Sequence, residues 1–210
     1  MKYMMLVAVF IYVSLSLAAT DVKKIIKNVQ KKYQDVESIY VDFKQVNRFK
    51  ITGVTNEIYG TLWLAPDNKF RLETEDQTIV SDGQTFWRFN KMENQVLVDY
   101  AKKSEQDIFL SNFLFSINDQ YYSQIISESK ESGSKIYEVK LTPKNQDESF
   151  FNYIKVWLED KSWKIRKVQY VDYNENEFEY LIEKMKLDEP VSETKFVFTP
   201  AEGVEVIDLR

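Results

Sequence analysis

Five consecutive pieces decide the fold: Val54–Ala65 (VTNEIYGTLWLA), Asp67–Leu72 (DNKFRL), Thr78–Gly83 (TIVSDG), Thr85–Asn90 (TFWRFN) and Gln95–Asp99 (QVLVD). Each reads as a β-strand of a few residues, and turn chemistry separates them. Pro66-Asp67 and Asp82-Gly83 mark two breaks, and the polar run Asn90–Asn94 around Met92 marks a third. Gly83 supplies the positive φ that the second turn requires. Along the first strand Ile58, Gly60, Leu62 and Leu64 share one face, while Glu57, Tyr59, Thr61 and Trp63 share the other. Both faces carry large apolar groups. Such a sheet needs two covers, or one cover and a guest.

The flanking chain supplies covers. Val22, Ile25, Ile26, Val29, Tyr33 and Val36 recur at helical spacing behind a Thr20-Asp21 cap, with Lys23, Lys24, Lys27, Lys31 and Lys32 outside the stripe. This amphipathic helix lies on an apolar surface, either as a permanent layer or as a lid; permanent packing is the plainer reading. Ser38–Phe49 reads as the first strand. Ser104–Ile117, with Phe109, Leu110, Phe113 and Leu114, reads as a second helix, apolar nearly all round. Strands follow at Tyr122–Glu128, Lys135–Thr142, Phe150–Leu158, Trp163–Tyr173 and Glu177–Leu187, with Lys195–Thr199 and Gly203–Leu209 closing the chain. Short turns between them predict an antiparallel meander of about ten strands. The expected fold is mainly β: one strongly curved antiparallel sheet, a half-open barrel, covered by helices with a hydrophobic cavity between.

At the start, Lys2, an apolar run from Met4 to Leu17 and the small residues Ser16–Ala19 have the layout of a secretory signal peptide cleaved after Ala18 or Ala19. The expected organisation is a signal peptide over 1–18 and a single domain over 19–210, exported and unanchored, since no Cys sits at the cleavage point. A retained N-terminal anchor is the competing reading.

Composition narrows the chemistry. The 210 residues contain no Cys and no His, which removes thiol nucleophiles, disulfides, imidazole bases and zinc sites with nitrogen or sulfur ligands. The 33 acidic residues sit mostly in turns or beside Lys, and no catalytic constellation or glycine-rich phosphate loop emerges. The expectation is a non-enzymatic protein without metal or cofactor. A net charge of −5 without a basic cluster argues against nucleic acid, and equally against electrostatic docking to an anionic bilayer. Apolar binding remains. An aromatic sheet face under an amphipathic helix can hold acyl chains, each methylene contributing about 0.8 kcal/mol.

Ser38-Ile39-Tyr40-Val41-Asp42-Phe43-Lys44-Gln45 resembles the S-F-x-x-x-F-x-Q opening of the periplasmic outer-membrane lipoprotein carrier family, LolA. Gly60-Thr61-Leu62-Trp63-Leu64, Phe70-Arg71, Val80–Trp87 and the ending Lys195–Val206 resemble the same family in the same order. The resemblance spans essentially the whole chain after the leader. It implies a monomeric periplasmic chaperone that receives triacylated lipoproteins from an inner-membrane ABC-type release complex and passes them to an outer-membrane acceptor. It also implies an acyl-binding cavity lined by Phe43, Leu62, Phe70, Trp87, Phe109 and Phe113, with Phe70 at its mouth. The implied lid comprises Val22, Ile25, Ile26, Val29, Leu110 and Leu114.

One departure stands out. The family pattern is Arg-Pro-x-x-Phe, its arginine hydrogen-bonding the lid; here Pro66-Asp67-Asn68-Lys69-Phe70 puts proline in that place, and Leu72 replaces a usual Trp. A closed lid must then be held some other way, by apolar contact alone for instance, or the lid is looser; weaker gating is the expectation. A different use of the same scaffold, as an extracytoplasmic sensor or interaction domain, competes with the carrier reading because fold does not fix function.

Overall fold

The computed structural model describes residues 21–101, 120–147 and 149–210. Helix α1 spans Val22–Tyr33, capped by Asp21, whose carboxylate accepts the Lys23 N–H at 2.9 Å. Its buried residues are Ile25, Val29 and Tyr33, one stripe at helical spacing, and Val36 beyond its end is buried too. Val22 and Ile26 pack on the flank of the same core. The expected second helix, with Phe109, Leu110, Phe113 and Leu114, lies outside the described residues.

Twelve strands form one sheet: β1 (Ile39–Arg48), β2 (Thr55–Ala65), β3 (Lys69–Thr74), β4 (Gln77–Asp82), β5 (Thr85–Asn90), β6 (Gln95–Tyr100), β7 (Tyr121–Glu131), β8 (Ser134–Pro143), β9 (Phe151–Glu159), β10 (Ile165–Asp172), β11 (Glu177–Leu187) and β12 (Glu205–Asp208). Their order is β12-β6-β5-β4-β3-β2-β1-β11-β10-β9-β8-β7. Two antiparallel meanders, β1–β6 and β7–β11, are joined where β1 pairs with β11. A twisted sheet of this width curls.

The turns fall where their residues dictate. Asp67 and Asn68 take φ of 62° and 59°, and Gly83 takes 91°. A Cβ at Gly83 would lie 2.2 Å from the Asp67 carbonyl oxygen, so glycine there lets the β2–β3 and β4–β5 turns touch. Asp82 accepts the N–H groups of Gln84 and Thr85, closing the second turn on its own side chain.

Three expectations change at the C-terminus. The sheet has twelve strands rather than about ten. Lys195–Thr199 is not a strand: Glu193–Phe196 forms a short 3-10 helix capped by Ser192, which buries Phe196. The last strand, β12, pairs with β6 in parallel, departing from the meander. The reason is the face that needs covering. Val80, Val96 and Phe196 are each at most 1% exposed, and they lie on the face of β3–β6 turned away from α1. The C-terminal segment straps that face. Phe198 packs on Phe89 at 5.3 Å between ring centroids, and Lys69 pairs with Glu193 at 2.7 Å. Arg71 pairs with Glu73 and donates to the Lys195 carbonyl. Burial pushes the Glu73 carboxyl up, but the Arg71 guanidinium outweighs it and holds the group below its usual range. The sheet that is apolar on both faces therefore has two covers, α1 inside and the C-terminal strap outside.

Elsewhere the outer face is finished with lysine over aromatic rings. Lys167 lies 3.7 Å from the Trp157 centroid and Lys140 lies 4.1 Å from that of Tyr153. Such pairs keep the ring apolar area shielded while the ammonium stays in water.

Candidate functional site: the inner sheet face

Cross-strand pairing fixes which residues share the inner face. Ile39, Leu64, Phe70, Ser81 and Phe86 form one row across β1–β5, and Val41, Leu62, Leu72 and Ile79 form the next. Ile25 and Val29 of α1 join these rows in one buried core, in which Ile25, Val29, Ile39, Val41, Leu62, Leu64 and Phe70 are at most 2% exposed. Phe43, Leu62 and Phe70 lie in one buried core. Phe70 is sealed inside the core, however, and not at a mouth.

Trp87 is a correction. It pairs with Val80 and Val98, whose row lies on the outer face, while its neighbour Phe86 points inward to Phe70, 6.4 Å between centroids. Strict alternation along β5 allows only one of the two on the inner face. Phe86 takes the place expected for Trp87.

Beyond the aliphatic rows the inner face turns aromatic. Phe43 meets Tyr180 at 5.8 Å, Tyr180 meets Tyr170 at 6.4 Å, and Tyr170 stacks on Phe178 at 4.5 Å with a 13° interplanar angle. From Tyr170 the chain of rings branches to Phe150 at 5.6 Å, edge to face. Phe150 contacts Phe151 and Phe151 contacts Tyr121, while Phe178 meets Phe49. Tyr121, Phe150, Tyr170, Phe178 and Tyr180 are half-buried. Burial also pushes the Tyr121 hydroxyl pKa up. None of these rings was singled out from sequence. The signal was present, since Phe178 and Tyr180 stand two residues apart and alternate to one face of β11. Their meeting with Tyr170 depends on the β10–β11 register.

Gly60 sits beneath the junction of the two regions. A Cβ there would lie 2.7 Å from the Phe43 ring tip and 2.7 Å from the Glu73 carbonyl oxygen. The missing side chain lets the Phe43 ring lie flat across β2, directly opposite its own cross-strand partner.

Helix α1 is tied down by a polar group as well as by packing. The Tyr33 hydroxyl accepts the Ile165 N–H at 3.4 Å and donates to the Met185 sulfur at 3.6 Å. Desolvation pushes the Tyr33 pKa up to about 12. Apolar contact alone is not what holds α1 here: the fastening comes from the helix to the sheet, in place of an arginine from the β2–β3 turn. Pro66 instead borders a separate polar pocket of about 530 Å³ with Glu37, Asp67, Asp188 and Glu189.

Among the described residues, no cluster of acidic side chains is placed to hold a metal ion. One open sheet of twelve strands, with an amphipathic helix on its inner face and an array of rings beside it, defines the fold. The chain belongs to the LolA family: the family model described as outer membrane lipoprotein carrier protein LolA matches residues 34–199.

Two relatives and one structure illustrate the spread. An uncharacterized protein of Methanocaldococcus jannaschii is 25% identical over 187 residues, 88% of this chain. The chain spans only 53% of that relative's length. An outer-membrane lipoprotein carrier protein of Serratia proteamaculans is also 25% identical, over 189 residues that cover 88% of each chain. The crystal structure of an uncharacterized conserved protein from Thermus thermophilus superposes with a TM-score of 0.58 at 11% identity, covering 89% of this chain and 98% of the other. That likeness concerns the fold.

Proposed function

We propose that this protein is an exported, non-enzymatic carrier that holds the acyl chains of lipoproteins against its inner sheet face and moves them across the periplasm from one membrane to the other. The observation that carries the reading is the branched array of rings around Tyr170, on the same face that α1 covers. Flat, half-buried rings offer large apolar area at little conformational cost, and they adapt to a flexible chain better than interlocked aliphatic groups. Family membership and the carrier relatives support a lipoprotein as the source of those chains. A triacylated lipoprotein as cargo, an inner-membrane ABC-type release complex as donor and an outer-membrane acceptor as recipient complete the proposal. Helix α1 then acts as a cover that must part from the sheet for cargo to enter, with Tyr33 as its fastening. No described helix is long and apolar enough to cross a membrane.

The test is native mass spectrometry of the mature protein purified from its own cells, paired with titration of a fluorescent acyl probe. Added masses matching intact triacylated lipoproteins are expected, and Tyr170→Ala with Tyr180→Ala weakens probe binding about tenfold or more, the loss of roughly one aromatic contact's worth of binding per ring. Free phospholipid alone would point to a general lipid shuttle. A bare protein that also rejects the probe would overturn the carrier reading and favour an extracytoplasmic sensor or interaction domain. That alternative draws on the archaeal relative, in which a region of this size makes up about half of the protein.

A further inference from the structure

The outer surface of α1 carries a one-sided charge distribution. The helix reads VKKIIKNVQKKY, with five lysines and no acidic residue. At about 100° per residue, Lys23, Lys24, Lys27 and Lys31 fall within an arc of roughly 100°, opposite the buried stripe. All four are exposed. Lys32 lies on the flank, its ammonium 5.9 Å from the Tyr33 ring centroid.

Among the described residues, none of the five has a carboxylate partner. The nearest acids in sequence are otherwise engaged: Asp21 caps the helix and Asp35 accepts from the Gln34 side chain. Six strand lysines are treated differently: Lys44, Lys69, Lys135, Lys155, Lys167 and Lys186 each pair with a glutamate. The pattern also works against the helix itself. Lys23/Lys27 and Lys27/Lys31 are like-charge pairs at i,i+4, and Lys23 and Lys24 occupy the first turn, where the helix dipole disfavours cations. In a chain of net charge −5, these cations are concentrated on one 12-residue helix.

We propose that the outer face of α1 is a docking surface for an anionic lipid bilayer. A planar array of phosphates and carboxylates neutralises all four lysines at once and removes their mutual repulsion, the charge complementarity by which basic amphipathic helices settle on membranes. The whole-chain charge concealed this surface because the excess of acid lies elsewhere. The proposal goes beyond the carrier reading and does not depend on it. It places the cover of the inner face against the membrane, so docking and access to that face share one helix.

Vesicle co-sedimentation of the mature chain tests it. Vesicles of phosphatidylcholine alone are compared with vesicles containing about one third phosphatidylglycerol, at low and at high salt. Binding to the anionic vesicles at low salt is expected, lost at high salt and absent on the neutral ones. The triple variant Lys23→Glu, Lys27→Glu, Lys31→Glu lowers the partition coefficient roughly a hundredfold, a few-fold or more per lysine. A control of equal charge change at the end of the sheet opposite the Tyr33 contact, Lys50→Glu, Lys91→Glu, Lys144→Glu, stays within about twofold of the parent, as screening of charges remote from the contact requires. Circular dichroism and urea denaturation midpoints confirm that both variants are folded. Equal partition to neutral and anionic vesicles, no binding to either, or equal losses in the two triple variants would each overturn the proposal.

Discussion

The inner face has two regions that solve different problems. Under α1 the contacts are aliphatic and interlocked, with Val29, Ile39, Val41 and Leu64 fully buried. Around Tyr170 they are ring on ring, half-buried, with centroid separations from 4.5 to 6.4 Å. Interlocked aliphatic side chains leave no room for a guest and hold the helix in register. Stacked and tilted rings can slide and re-tilt at small cost, which under the proposed carrier function suits a surface that accepts chains of varied length. One face of one sheet thus contains both a fastening and a receiving region, with Phe43 and Gly60 at the boundary.

The largest expected effect lies in the fastening region. Leu64→Ala removes a fully buried side chain from the row beneath α1 and lowers the unfolding free energy by about 3 kcal/mol. Urea denaturation measures the loss, and acyl-probe affinity of the folded fraction stays near the parent value. A larger fall in affinity than in stability would erase the distinction between the two regions.

Gly60→Ala sharpens the boundary. The new Cβ meets both the Phe43 ring and the rigid Glu73 carbonyl at 2.7 Å, so the ring must rise and β2 must shift. A loss of about 2 kcal/mol is expected. Because Phe43 leads directly to Tyr180, probe affinity falls in the same variant. Pairing with Phe43→Leu separates the causes: relief of ring contact restores part of the stability, whereas the carbonyl clash persists.

Tyr33→Phe carries the smallest effect at neutral pH, about 1 kcal/mol, from one buried hydroxyl that accepts one N–H and donates to a sulfur. Its signature is in alkali. The native pKa of about 12 lies above the ordinary value of 10.0, so the folded state holds the phenolic proton more tightly than the unfolded chain. The contribution is intact below pH 10 and is lost as pH rises towards 12, at about 1.4 kcal/mol per pH unit between those values. Urea midpoints across that range should fall less steeply for Tyr33→Phe than for the parent. Parallel slopes would mean that the hydroxyl is not the group that feels α1 lift.

How far these features were legible depends on the range of the interactions that set them. Strand periodicity, the Asp82-Gly83 turn and the α1 stripe are local. A period of two, a positive φ or a 3.6-residue repeat is written in neighbouring residues, and Ile25, Val29 and Tyr33 are buried as that repeat demands. Family resemblance followed from ordered short motifs for the same reason. The choice between Phe86 and Trp87 was harder, because adjacent aromatics on a strand state that both faces are apolar without saying which is inner.

Sequence alone determined that this chain builds a wide β-sheet with an amphipathic helix, has no thiol or imidazole chemistry, and resembles the LolA family. Only the tertiary structure decided that the C-terminal segment straps the outer face with a parallel β12, and that the Tyr33 hydroxyl ties α1 to Ile165 and Met185. It alone gathered Tyr170, Phe178, Tyr180 and Phe150 into one surface. Each of these joins residues far apart in the chain, and their meeting depends on strand register and order, which no local pattern encodes.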